Sequence, residues 1–371
     1  MGIDRAAVSR LNERARREID EGLLPSCQWA LGLEGEIVAG ETYGDATPST
    51  RYQMFSATKP FVASVIWQLR AAGKIDPAHL VIDYFPGFGA NDKAAITVEQ
   101  VLLHTAGFPM APLGPPGWST RQSRQEIMAK WRLNWEPGTR YEYHPTSAHW
   151  VLAELIDIVT GADYRDELER RVTGPLGIGR MLGIATQDQA DIALLEPVGE
   201  VATPEEIKAV FGVAELPGGE VTTAALTNFN NPATREVGVP GGGGVIRAET
   251  LALFYQELLH NKAGLWPAAL LAEVTGTVRN RLPDPLTKTP ANRALGVILA
   301  GDDGLSNLRG MGRTLSAQAF GHNGAGGQIA WADPATGLSF AYFTNGLDQH
   351  IIREPRRGSA LASLAGQCAT S

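Results

Sequence analysis

The sequence predicts an α/β protein whose two ends fold together into one α/β domain around a mostly helical stretch. Three observations carry this expectation. Strand-like runs lie near residues 27–44 and again at 320–344, while helical periodicity dominates between about 75 and 240. Chains that collect strands at both ends and helices between them close a sheet-containing domain with both termini. No internal repeat and no low-complexity tract interrupts the pattern. The expected division is residues 1–80 with 240–371 for the α/β domain and 81–239 for the helical one.

Each element has its own signal. Ile3, Val8, Leu11, Ala15 and Ile19 recur at helical spacing between charged residues, predicting an opening amphipathic helix that stops at Gly22. Two β-rich arms around Glu34-Gly35-Glu36 predict a hairpin. From about Phe55 to Ala72 the stripe Val62, Val65, Ile66, Leu69 predicts a helix with Gly73 just past its end. The breaker-rich segments 107–118 and 216–220 either line a pocket or cross the surface. Gly241 to Gly244 permit close backbone approach, and "AETLALFYQELLH" predicts a helix after them. The remainder reads as a β-rich tail, with two strands flanking the turn from Asp333 to Gly337.

Composition bounds the function. The chain has 371 residues, 44% apolar and 19% charged, enough for a large core. A net charge of −8 is spread along the chain and speaks to solubility. No basic run interleaves with aromatics, so nucleic acid is not an expected partner. No stretch approaches the roughly 18 apolar residues of a membrane span, and the charged N-terminus has no secretory core. Alanine at position 6 does not fit a myristoylation signal. Cys27 and Cys368 form no metal or redox motif, and a cytoplasmic location is expected.

The chemistry concentrates in "MFSATKPF", residues 54–61. Ser56 and Lys59 stand at i and i+3, on one helix face about a turn apart. Pro60 is tolerated only near a helix start, which puts the hydroxyl at the positive end of the helix dipole. A neutral Lys59 could there accept the serine proton. Taken alone, the pair reads equally as an N-cap serine and a surface lysine. It is the only S-x-x-K in the chain, and no G-x-S-x-G, H-E-x-x-H or G-x-G-x-x-G occurs.

Five segments in order extend this reading: "SATK" (56–59), "LLHTAGF" (102–108), "EPGTRYEYHP" (136–145), "PGGGGV" (240–245) and "FGHNGAGGQIAWADP" (320–334). Together they resemble serine hydrolases of the class C β-lactamase-like superfamily, most of all its family VIII carboxylesterases. The resemblance implies a β-lactamase/penicillin-binding-protein-like fold: an antiparallel sheet flanked by helices, a mostly helical domain, and the active site in the cleft between them. It implies that Ser56 is the acylated nucleophile and Lys59 its proton acceptor. Tyr143 would share that proton and pass it to the leaving group, with Tyr141 as competitor for the role. His322 would stand where β-lactamases carry the lysine of K-T-G, either in proton transfer or as a hydrogen-bonding partner. The N–H groups of Ser56 and Ala325 would form the oxyanion hole, and Asn323 and Gly324 would contact substrate; Trp118 is a further substrate contact expected from its place in the breaker-rich loop 107–118 rather than from the resemblance. No metal or organic cofactor is implied, and the partner is a small-molecule ester.

Two departures favour esters. Pro145 stands where Y-x-N has asparagine and offers no side-chain amide, and His322 replaces a permanent cation. His104 is expected to be structural, and Trp150 and Trp331 to belong to the core. The alternatives are a β-lactamase, a D-amino-acid peptidase or amidase, or an acyltransferase on the same fold. A non-catalytic binding module is the alternative from another class.

Overall fold

In the computed structural model, which describes residues 2–213 and 221–370, the chain opens with helix α1 (Arg5–Asp20). Asp4 caps it, its carboxylate accepting from the N–H groups of Ala6 and Ala7 at 2.8 and 3.1 Å. Strands β1 (Ser26–Leu33) and β2 (Glu36–Gly44) follow as a hairpin. Its two-residue turn, Glu34-Gly35, has both residues left-handed, the conformation that matches the twist of paired strands. A 3₁₀ turn at Phe55–Thr58 then feeds α2 (Lys59–Ala71).

The middle of the chain supplies α3 (Ser147–Thr160) among shorter helices, and α4 (Ala248–His260) follows the glycine run. The remaining strands of the six-stranded sheet are β3 (Ile298–Leu299), β4 (Phe320–Gly321), β5 (Ile329–Asp333) and β6 (Leu338–Thr344). Helix α5 (Arg353–Ala365) comes after them. The sheet is antiparallel, in the order β2-β1-β6-β5-β4-β3. Early and late segments are thus central neighbours, with Ala30 opposite Ala341.

Alternation along the strands sends large side chains to one face and small ones to the other. Trp29, Leu31, Trp331, Phe340 and Tyr342 pack with Leu11 of α1 and Leu361 of α5. Ala30, Ala330, Ala332 and Ala341 face the opposite way, so α4 approaches the sheet closely through Phe254 and Tyr255. On that same side α2 packs against α3, and the cleft opens where the two meet the sheet edge.

Three expectations need correction or comment. The helix read as starting near Phe55 begins as an α-helix only at Lys59, because Phe55 takes a left-handed φ of 45°. The tail beyond 344, read as β-rich, holds only the short strands Gly346–Asp348 and Ala369–Thr370, with α5 between them. The periodicity of α5 is masked because the buried face includes Arg357 alongside Leu361, Ala362 and Ala365. Segment 216–220 lies outside the described residues. Among the described residues no helix is long and apolar enough to cross a membrane.

Arg357 is 2% exposed and joins the first helix to the last strand segments through Glu18 at 3.4 Å and Asp348 at 3.1 Å. Removing one partner of a buried ionic group strands the others without compensation. Arg357→Ala is therefore expected to lower unfolding free energy by about 3 kcal/mol, measured as a shift of the urea midpoint with an unchanged slope.

Candidate active site

Ser56 sits in the 3₁₀ turn that precedes α2, ahead of Ala57, the N–H of which bonds the Met54 carbonyl. The first N–H groups of such a turn have no intrahelical acceptor, which leaves the Ser56 N–H available to a ligand. Ala325 opens another 3₁₀ turn, Ala325–Gly327, on the sheet side. Gly324 explains how the two turns come together: a Cβ there would lie 2.2 Å from the Met54 main-chain oxygen. Only glycine lets these two backbones pass at this distance.

Lys59 is 1% exposed. Its Nζ donates to the main-chain oxygens of Pro145 at 2.7 Å and Gly241 at 2.6 Å, and lies 3.1 Å from Ser56 Oγ. Tyr143 OH donates to the same Oγ at 2.8 Å. A neutral amine has two N–H groups and one lone pair, so this environment satisfies it fully: two carbonyls take the N–H groups and the serine hydroxyl takes the lone pair. No carboxylate forms an ion pair with Lys59 among the described residues. Burial, and after it the nearby Arg293 cation, hold the amine well below the ordinary lysine range. Burial pushes the Tyr143 phenol up, against the opposing pull of Arg293 and of the bond to Ser56, so Tyr143 keeps its proton.

The surrounding imidazoles are neutral as well. Burial pushes His144 down to about 3, and it holds His104, His149 and His322 well below the usual histidine range. Hydrogen bonds orient the rings of His104, His144 and His322. His322 Nδ1 donates to the Asn323 carbonyl at 2.9 Å, and its Nε2 lies 3.5 Å from Arg293 Nη1. His104 Nδ1 accepts from the His144 N–H at 3.0 Å. His104 thus supports the Tyr143 loop from beneath, its ring 4.8 Å from that of Tyr143.

Two cavities of about 380 and 350 Å³ meet at Ser56 and Ala325. The larger is walled by Tyr141, Tyr143, Arg293, Arg309, His322 and Asn323. The smaller is apolar, with Phe55, Leu113, Leu226 and Phe229 in its wall and Gly241 at its edge. The structure thus brings together Ser56, Lys59, Tyr143, His322, Asn323 and Ala325. Gly324 acts through its backbone approach to Met54. The Asn323 side chain lines the larger cavity, but both its ends are used within the protein, on the Gly310 carbonyl and the Ala330 N–H. Trp118 is in neither wall; its ring centroid is 6.5 Å from that of Trp150, and Pro112 to Gly114 of the same loop face the apolar cavity instead. Tyr141 bonds Arg293 rather than Ser56, accepting from Nε at 2.9 Å.

Sequence reasoning missed Arg293, which sits in no motif, and the main-chain oxygens that hold Lys59. The latter have only an indirect signal, the glycine run at 241–244. Gly241 is needed because a Cβ there would lie 2.9 Å from the Pro145 oxygen.

Comparison with known proteins shows the family and the fold. The family model described as Beta-lactamase matches residues 11–362. The chain is 30% identical to the "Esterase/beta-lactamase LipL" of Mycobacterium tuberculosis, over 82% of this chain and 71% of that protein. It superposes on the crystal structure of a family VIII carboxylesterase with a TM-score of 0.76 at 25% identity, over 98% and 99% of the two chains. A penicillin-binding protein homologue from Caulobacter crescentus gives a TM-score of 0.77 at 24% identity, over 98% of each chain, a likeness of fold.

The Gly324 contact yields a test. Gly324→Ala must push the 324–325 segment away from Met54, because the clash is with main chain. The rate at which a fluorophosphonate labels Ser56 is expected to fall at least about 100-fold, the scale of losing one oxyanion donor, with near-native circular dichroism.

Proposed function

The chain belongs to the beta-lactamase family of serine hydrolases, and from that premise we propose that it is a carboxylesterase working through an acyl-enzyme on Ser56. Lys59 removes the Ser56 proton as Oγ bonds to the ester carbonyl carbon. The N–H groups of Ser56 and Ala325 receive the developing oxyanion. On collapse the carbon–alkoxide bond breaks, Tyr143 gives its proton to the departing alcohol, and the proton held by Lys59 passes to the neighbouring Tyr143 phenolate. Water then attacks the acyl carbon while losing a proton to the same pair, and Ser56 leaves with a proton restored. Every step uses groups of this chain, with no cofactor.

Tyr143 lines the larger cavity and not the apolar one. The alcohol that takes its proton therefore departs through the larger cavity, and the acyl group occupies the smaller. About 350 Å³ with an apolar wall suits a short-chain or aryl acyl group.

The observation that carries the ester reading is the main-chain oxygen of Pro145 bound to Lys59. This position offers substrate no side-chain amide, and Asn323, the other amide in the cavity walls, is engaged at both ends. A substrate amide would lose hydrogen bonds here that an ester does not need. One observation favours a second reading, a β-lactamase or D-amino-acid amidase. Arg293 places a permanent cation beside His322, which supplies the charge that histidine lacks and could hold a substrate carboxylate.

Parallel assays on nitrophenyl butyrate, a chromogenic cephalosporin and a D-alanyl amide separate these readings. The ester is expected to turn over fastest, and faster turnover of the cephalosporin overturns the choice. Intact mass during turnover of a slow ester should show one acyl adduct in the parent and none in Ser56→Ala. Tyr143→Phe should lose about two orders of magnitude in rate, the scale of removing a general acid/base.

A further inference from the structure

We propose that Arg293, clamped by Tyr141 and His322, is the positioning residue that keeps Lys59 in its base form. The inference rests on the reading of Lys59 as the base for Ser56 and not on the identity of the substrate.

The argument starts from one ring. Lys59 Nζ lies 5.0 Å from the centroid of the Tyr143 ring and Arg293 Cζ lies 5.1 Å from the same centroid, so the two groups are at most about 10 Å apart. Both are buried, at 1% and 4% exposure. The groups around Lys59 supply no compensating anion. From the segment entering α3 come Tyr141, Tyr143, His144 and His149, from the turn after "VLL" comes His104, and from the end of β4 comes His322. Burial keeps the proton on Tyr143 and the imidazoles neutral. Arg293 itself forms no ion pair among the described residues. Asp284 and Arg309 lie farther along the same cavity, and Arg309 is paired with Asp303.

Two cations cannot share such a pocket without cost, and only one can shed its charge. A guanidinium stays protonated, so the lysine gives way. At a separation of 10 Å and an effective dielectric constant of about 20, like-charge repulsion lowers an amine pKa by about one unit. That factor of about ten in neutral amine comes on top of the larger effect of burial. The guanidinium must also be held still, because a mobile one would turn to solvent along the cavity. Tyr141 OH accepts from its Nε at 2.9 Å, its Cζ lies 5.4 Å from the Tyr141 ring centroid, and His322 Nε2 faces Nη1. This gives Tyr141 a role that needs no contact with Ser56. It also accounts for a neutral His322, which can face Arg293 only as an acceptor.

The test is the pH dependence of fluorophosphonate labelling of Ser56, a readout that needs no substrate assignment. In the parent the rate rises with pH as Lys59 loses its proton. Removing a neighbouring positive charge raises the amine pKa, so in Arg293→Ala this limb should move up by about one pH unit. Labelling below the limb should fall about tenfold, with the rate on the alkaline plateau less affected. Millimolar methylguanidinium, filling the vacated space, should move the limb back. A limb that stays within about 0.3 unit of the parent in folded Arg293→Ala overturns the proposal, as does a displaced limb that methylguanidinium leaves unmoved. If Arg293→Ala does not fold, Tyr141→Phe is read instead. It keeps the charge but frees it, so a smaller shift in the same direction is expected, and an unmoved limb overturns the proposal. A parent enzyme that is not labelled on Ser56 refutes the serine-hydrolase reading itself, which is a different result.

Discussion

The site depends on one amine, out of water, with no counter-ion among the described residues. Lys59 meets two main-chain oxygens and a hydroxyl. Two acceptors plus one amphoteric group are the complement of –NH₂. An ammonium would also find three acceptors, but with no counter-ion at a depth where charge is expensive. The rest of the architecture serves to place those three oxygens. The glycine run brings Gly241 against the chain entering α3, that entry brings Pro145 and Tyr143, and the 3₁₀ turn before α2 brings Ser56. Glycine at 324 then lets the sheet set Ala325 beside the nucleophile.

Burial acts in opposite directions on the two proton carriers, and this makes them a usable pair. It lowers the amine and raises the phenol, which favours a free amine beside a protonated phenol. In the proposed mechanism the proton then runs from serine to amine and from phenol to leaving group. The neutral imidazoles beneath support this by filling space and fixing loops without adding charge. His144 illustrates the point: its Nδ1 donates to the Glu142 carbonyl at 2.7 Å and its Nε2 accepts from the Phe108 N–H at 3.2 Å, joining two loops that wall the cleft.

How much of this was legible follows from where each signal resides. Local periodicity gave the hairpin, α1 and α4, because each buries one regular face. It failed for α5, where a buried arginine occupies the apolar stripe and only the distant Glu18 and Asp348 make that burial tolerable. The i, i+3 spacing put Ser56 and Lys59 together, since three residues of helical chain leave little freedom. Ser56 to Tyr143 is different: that contact spans 87 residues and entered through a resemblance of motifs rather than through local rules. Arg293 had no signal at all, because an arginine in an irregular segment looks like any surface arginine until the fold buries it. Trp118 shows the reverse error. A large aromatic in a breaker-rich loop suggested a substrate wall, but tertiary packing turned it toward Trp150.

Pro145 unites these threads. A proline cannot offer a side-chain hydrogen bond, so at first sight it removes something from the site. Its main-chain oxygen nevertheless takes a proton of Lys59, and an oxygen of the backbone cannot swing away toward substrate as an amide side chain can. The amine is therefore held by groups whose positions are set by the fold alone, and position 145 offers no side-chain donor or acceptor to a substrate amide. In the proposed mechanism a lysine kept neutral by burial and a fixed cation activates serine toward any acyl group. What narrows the chemistry is the lack of a free amide beside it, and that lack disadvantages substrates bearing an amide at this position, while a simple ester forgoes nothing.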